Sequence, residues 1–333
     1  MNHTALPSPL VILRVLANRS GSPAGLLIEV AAADEAAAAA PLTLFGDEHF
    51  TALAREMTCY YREGTPPELA QALARAGCKL LAAGALLRQD GQLVSAALPA
   101  AAVLIEGDWC MAPPTRPSGA QAASRALSLQ LAQLVAADAH THDIEALLRK
   151  DPTLSYHLLR LVNSLGIGAG RRITSFSQAI LILGRQQLRR WVNLMLFAAR
   201  QSDHRSAMLL ARVAVRGRLL EQLCKARGFD KQMQDQAFIA GMFSLLGVLF
   251  GMSLAEVLAP LSMSELVHDA LLEHKGELGL MLLLCAAIEE GDKAAVAAQL
   301  HALQLDAIRF NHTLAEANHW MLGAIGAQAA PNG

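Results

Sequence analysis

The chain has 333 residues, 53% of them apolar and only 5% aromatic, enough to bury a substantial core and to argue for two folded units; abundant Ala and Leu favour helices packed on helices. The five cysteines, Cys59, Cys78, Cys110, Cys224 and Cys285, are odd in number, scattered and in no CxxC pair, which suggests neither a disulfide framework nor a zinc site and predicts small buried hydrophobes in a reducing, cytoplasmic setting. The net charge is −1 and the first residues carry neither a basic region nor an apolar run of signal length, so secretion is not expected.

Short apolar runs open the chain. Leu10 to Leu16, Leu26 to Val30, Leu42 to Phe45, Cys78 to Ala82 and Val103 to Ile105 read as strands, and Phe50 to Tyr61 and Pro66 to Ala76 read as helices. Asp90-Gly91 between two Leu-containing pairs is a hairpin signal. Residues 1–118 are therefore predicted to form a small α/β domain. Its acidic residues, Glu29, Asp47, Glu48, Glu106 and Asp108 among them, are expected to be solvated, because nothing in their spacing gathers a metal-binding set. The Ala-rich piece from Ala31 to Ala40 is a biased loop or short helix.

Ala112 to Gly119, APPTRPSG, excludes regular structure and marks the boundary. Residues 119–333 then read as helix throughout. Caps are expected at Asp151, Ser175, Asp203, Ser253 and Ser262, and Gly228, Gly276 and Gly291 sit where helices should end. Ala237 to Ala255 is uncharged over 19 residues, but its glycines and serines dilute the hydrophobicity and Ser253 with Glu256 starts a new helix inside it, so it is read as a buried central helix and not a membrane span.

The most specific stretch is Asp151 to Trp191. Asp151-Pro152 opens a helix, Leu154, Leu158, Leu161 and Leu165 form one apolar stripe, and Gly166, Gly168 and Gly170 break it. Ser175 with Gln178 caps the next helix, Gly184 ends it, and a basic-aromatic helix follows. This order resembles the HDOD domain, an all-helical signalling module similar to the HD metal-dependent phosphohydrolases but without their metal ligands. The resemblance covers Ala122 to about Arg309. It implies a mainly α protein, with a C-terminal HDOD bundle after the small α/β domain.

In HD enzymes a His-Asp pair on a central helix ligates metal; the run AFIAGMFSLLGVLFG resembles that helix and places Ser244 and Leu245 at the degenerate HD position. Leucine cannot ligate metal, so the resemblance implies no catalysis, no metal and no cofactor. His142-Asp143 and His268-Asp269 exist elsewhere and are expected to cap or face solvent. HDOD proteins often carry an EAL-type barrel that in active forms hydrolyses cyclic di-GMP; residues 1–118 resemble at best a truncated, degenerate version of it.

Charge distribution supplies the positive clue. Pro152 to Leu220 holds eleven arginines, no lysine and one acid, a net +10 against −11 for the rest. Either these helices are neutralised by acidic neighbours, or they expose a surface for an anionic partner, with Arg171, Arg172, Arg185, Arg189 and Arg190 grouped in sequence. The reading is a non-catalytic bacterial scaffold or signal-transduction protein whose HDOD domain binds a partner protein, in cyclic di-GMP or motility regulation. The alternatives are a nucleic-acid-binding regulator using the same arginines and a cryptic metal-dependent phosphohydrolase. The last helix, near Trp320, either closes the domain or joins a homodimer.

Overall fold

A computed structural model describes residues 9–31, 43–113, 203–259 and 263–329, with parts of 130–148. The stretch Asp151 to Trp191 lies outside the described residues, as do the expected caps Asp151, Ser175 and Ser262 and most of the Ala-rich piece.

The chain begins with a hairpin of β1 (Leu10–Asn18) and β2 (Pro23–Ala31), paired antiparallel from Leu10↔Ala31 to Leu16↔Gly25. Asn18 builds the turn: its side-chain oxygen accepts from the backbone N–H of Ser20 and of Ser22 and from the Ser20 hydroxyl. Then come α1 (Glu48–Glu56), β3 (Cys59–Tyr61), α2 (Pro67–Arg75), β4 (Lys79–Leu80), β5 (Leu86–Arg88) and β6 (Leu104–Glu106). The six strands form one curled sheet in the order β4-β3-β2-β1-β6-β5, with β1 antiparallel to both neighbours and the other pairs parallel. This sheet is more substantial than the small domain expected.

Three local expectations are corrected. The helix predicted from Phe50 to Tyr61 ends at Glu56, because Met57 turns extended and Cys59-Tyr60-Tyr61, rich in β-preferring rings, joins the sheet. Leu42 to Phe45 gives a 3-10 turn over Thr43–Gly46 instead of a strand. The Asp90-Gly91 hairpin does not form: β5 pairs parallel with β6, and the Asp90 carboxylate accepts from the backbone N–H of Asp108.

The helical half contains α3 (Thr141–Leu148), α4 (Ser206–Ala226), α5 (Lys231–Phe243), α6 (Leu246–Phe250), α7 (Leu254–Leu258), α8 (Glu265–Glu273), α9 (Gly276–Glu290), α10 (Lys293–Ala302) and α11 (Ala307–Ala329). The expected capping box of Ser253 and Glu256 starts α7, and Gly291 closes α9 in the left-handed conformation. Gly276 does not end a helix; His274, at φ 52°, closes α8 and Gly276 opens α9. The stretch Lys231–Phe250 is, among the described residues, the one long and apolar enough to cross a membrane by composition, yet it is interrupted at Ser244-Leu245 and 61% of its most apolar window is buried inside the protein.

One core cluster runs through sheet and helices, from Leu10 and Ile12 through Trp109 to Leu209, Phe238, Leu284 and Phe310. It explains why β1 carries apolar residues on both sides of Arg14 without alternation: both of its faces are covered. The outer edge of β1 near its start is taken by α11, where buried Asn311 accepts from the Val11 N–H at 2.9 Å and donates to the Pro9 carbonyl at 2.9 Å. All five cysteines are free and buried; burial pushes the Cys224 and Cys285 thiols up to about 12, as expected of structural cysteines.

The hairpin turn is wedged against the helical half. Gly21 has φ +84°, and a methyl group there would lie 2.6 Å from the His204 carbonyl oxygen and 3.0 Å from the Trp109 ring. Gly21→Ala is expected to lower unfolding free energy by about 1–3 kcal/mol, from left-handed strain and overpacking together. A urea midpoint unchanged from wild type would show that the turn is not pinned.

Candidate functional site

Strand direction gathers the charges. β2, β3, β5 and β6 all run the same way, and Glu29, Arg62, Arg88 and Glu106 lie at or just past their C-terminal ends. Alternation puts Arg14, opposite Leu27, on the sheet face that carries Leu16, Leu27 and Leu104, a small apolar cluster completed by Leu81. The result is an apolar floor with a charged mouth.

Every group at that mouth is paired. Arg14 holds Glu29 through Nε and Nη2 at 3.0 and 2.7 Å and Glu106 through Nη1 at 2.9 Å. Arg62 Nη2 donates to both Glu106 oxygens at 2.7 and 2.8 Å. Glu29 and Glu106 are therefore ion-paired and largely buried, which corrects the expectation that they are solvated. The physical reason is Arg14: a guanidinium inside a strand covered on both faces must recruit carboxylates. Asp47 is likewise engaged, capping α1 and meeting His312 at 2.6 Å, whereas Glu48 is open to solvent as expected.

The helical half closes over this mouth. On α4, buried Arg212 donates to Asp108 at 3.2 Å and to the Gly107 carbonyl at 3.0 Å, and lies 3.4 Å from Glu289 of α9. One turn on, Arg216 grips Glu289 through two 2.7 Å bonds. Burial alone would raise the Glu289 carboxyl, but Arg216 and Arg212 outweigh it and hold it below the usual range. A cavity of about 40 Å³ lies between the halves, bounded by Arg14, Glu106, Arg212, Arg216, Glu289 and Asn318. It has room for on the order of three waters. Asn318 lends it an acceptor, since its Oδ1 meets no protein donor.

Arg216 also reaches Ser244, which the sequence reading placed with Leu245 at a degenerate HD position. Its Nη1 donates to Ser244 Oγ at 3.0 Å, and that hydroxyl donates to the Gly241 carbonyl at 2.7 Å. Leu245 is buried beside it. Among the described residues no group of three or more His, Cys, Asp or Glu side chains is arranged to hold a metal. His142 is exposed at the start of α3, and His268 sits on α8 with its ring 3.5 Å from Asp269.

Of the eleven arginines in the basic stretch, the described Arg205, Arg212, Arg216 and Arg218 pair with Asp203, Asp108, Glu289, Glu221 and Glu316. Internal neutralisation operates at these four. Arg171, Arg172, Arg185, Arg189 and Arg190 lie outside the described residues. Sequence reasoning missed the mouth; an arginine at the centre of LVILRVLA, and two at a spacing of four in the apolar run AMLLARVAVR, were the signals that could have found it.

Comparison with known proteins adds the family. Residues 124–277 match the HDOD domain. A 177-residue stretch is 32% identical to cyclic di-GMP phosphodiesterase CdgJ of Vibrio cholerae, covering 53% of this chain and 40% of that protein. A 147-residue stretch is 29% identical to uncharacterized protein YuxH of Bacillus subtilis, covering 44% of this chain and 36% of that one. The chain thus matches well under half the length of these relatives. Among solved structures, a putative phosphohydrolase from Shewanella amazonensis superposes with a TM-score of 0.45 at 16% identity, over 61% of this chain and 93% of that one.

The Vibrio cholerae relative corrects the expectation that the protein is not an enzyme: this 32%-identical protein is named a phosphodiesterase. That expectation rested on Ser244 and Leu245 and on the absence of metal-ligand spacing elsewhere in the sequence. Over residues 124–277, the chain carries an HDOD domain.

Proposed function

We propose that the chain is a bacterial signal-transduction protein in cyclic di-GMP-related regulation whose HDOD domain docks a partner protein. The observation that carries this reading is the 32% identity, over 177 residues, to a protein named a cyclic di-GMP phosphodiesterase, joined to the HDOD match. Two features of the fold support it. The parallel β2-β3-β4 run with α1 and α2 in its connections is the arrangement of part of a (β/α) barrel, with charged residues at the C-terminal strand ends where such barrels carry their sites. This favours descent of the sheet half from a shortened EAL-type domain. The second feature is the pairing of Arg212 with both Asp108 and Glu289, which ties the strand ends to the HDOD helices and gives a signal at one half a route to the other.

The docking face belongs to the same proposal: Arg171, Arg172, Arg185, Arg189 and Arg190 recognise an acidic surface of the partner. The test is affinity capture from the native cell with and without nuclease, comparing wild type with a variant in which those five arginines are changed to Glu. A defined protein held by wild type after nuclease, and lost by a variant with an unchanged circular dichroism spectrum, is the expected result. Capture that disappears with nuclease would replace the protein partner with a nucleic acid.

A further inference from the structure

Away from the charged mouth, α1 and α11 bring two histidines together. His49 sits in the first turn of α1, fixed by the Asp47 cap, whose carboxylate accepts from the backbone N–H of His49 at 2.8 Å and of Phe50 at 3.1 Å. His319 lies 270 positions later on α11. Their Nδ1 atoms are 3.4 Å apart, with the rings tilted at 45° and their centroids separated by 5.7 Å. Both side chains are about one-third exposed, so the pair is open to an ion from solution.

We propose that His49 and His319 form a binding site for a late first-row divalent transition metal, with Zn2+ as the fitting ion, that staples α1 of the sheet half to α11. This inference does not depend on partner docking or on cyclic di-GMP. The first argument is the bite. Two imidazole nitrogens bound to one tetrahedral Zn2+ at 2.0–2.1 Å lie about 3.3–3.4 Å from each other. The observed separation needs little or no movement to accept the ion.

The second argument comes from the other side of each ring. His319 Nε2 is 3.6 Å from Glu56 Oε1, and His49 Nε2 is 3.9 Å from Glu48 Oε1. A metal-bound histidine almost always donates its remaining ring N–H to a carboxylate, a backbone carbonyl or water, which fixes the tautomer that leaves the ligating nitrogen bare. Here both Nε2 atoms face carboxylates while both Nδ1 atoms face each other. A simple proton-sharing contact between the rings would need one donor and one acceptor Nδ1 and would use only one ring in that tautomer. The neighbouring carboxylates instead favour the same tautomer on both rings.

Because no third His, Cys, Asp or Glu among the described residues completes the set, the protein supplies two ligands and water fills the remaining positions. Imidazole donors select Zn2+, Cu2+, Ni2+ and Co2+ over Mg2+ or Ca2+. The residues involved are separated by nearly the whole chain, which is why no ligand spacing is visible in the sequence.

The test uses the full chain without a polyhistidine tag, metal-stripped and titrated with Zn2+ by calorimetry and with Co2+ by visible absorption. His49→Gln, His319→Gln and His268→Gln are compared; all three positions are partly exposed. The expected result is one equivalent of metal per chain, a raised melting midpoint with Zn2+, and a loss of affinity greater than about tenfold for His49→Gln and His319→Gln, since loss of an outer partner alone costs that much. His268→Gln should match wild type. The proposal is overturned if wild type binds no metal at micromolar concentration, in which case the rings only share a proton, or if His49→Gln and His319→Gln bind as wild type does.

Discussion

Glu289→Ala is expected to destabilise the protein by about 3–5 kcal/mol, the cost of leaving a buried charge without its partner. Arg216 would lose both of its carboxylate bonds and keep only Ser244, while Arg212 would retain Asp108. Arg212 and Arg216 are each under one-tenth exposed, so solvent cannot replace what is removed. Double replacement, Glu289→Leu with Arg216→Met, should recover most of the loss, because an apolar pair of similar volume avoids the desolvation of both charges. The exposed pair Lys275 and Glu273 is the control: Glu273→Ala should shift stability by less than about 1 kcal/mol. Urea unfolding of the three variants beside wild type is the measurement, and equal midpoints for Glu289→Ala and Glu273→Ala would show that the clamp contributes nothing beyond a surface pair.

The same carboxylate sets an acid limit. Its folded value lies below the usual glutamate range, held there by Arg216 and Arg212 against the effect of burial. A depressed carboxyl contributes stability that is present above the unfolded value and is lost as pH falls through the folded one. Unfolding free energy should therefore decline on acidification from the ordinary glutamate range downward, and the decline should be shallower in Glu289→Gln. Parallel pH profiles for the two proteins would contradict this assignment.

Gly241→Ala is the second large effect. A methyl group at Gly241 would lie 2.5 Å from the Gly217 nitrogen and 2.6 Å from Arg216 C and Gly217 Cα, all of them backbone atoms of α4. Helix propensity favours the substitution by about 1 kcal/mol. Steric exclusion wins, because α4 and α5 would have to separate and lift Arg216 off Ser244; the expected net cost is about 1–3 kcal/mol. Gly217→Ala meets only the flexible Met242 side chain at 3.2 and 3.3 Å and the Phe238 ring at 3.3 Å, and should be far milder. Equal effects of the two substitutions in thermal unfolding would remove the close-approach argument.

What could be read in the sequence follows the range of the interactions. β1, α2 and the α7 capping box were legible because each is written in adjacent residues: an apolar run interrupted only by Arg14, an amphipathic nine-residue helix, a Ser and a Glu three apart. The end of α1 at Glu56 was not, since the apolar pattern continues through Cys59 and Tyr61 while the sheet claims those residues. The Asp90-Gly91 hairpin failed for a related reason: a strong local turn signal lost to parallel pairing of β5 with β6, whose last residue, Glu106, meets Arg14 and Arg62. The pairings in the charged mouth and the histidine pair could not be read, because Arg14 with Glu106 and His49 with His319 are joined only by the fold; the buried arginines were the one local trace of the mouth.

The most direct test of the signalling reading is the intracellular concentration of cyclic di-GMP in the native organism, measured in a strain lacking this chain and in the same strain complemented with wild type or Glu289→Gln, with swimming motility scored in parallel. Hydrolysis of cyclic di-GMP by the purified full chain with Mg2+ or Mn2+ is assayed alongside. The account predicts that deletion shifts the dinucleotide level or the motility governed by it, and that wild type restores it. An unchanged level and unchanged motility, under conditions where the chain is produced, would contradict a place for it in cyclic di-GMP signalling.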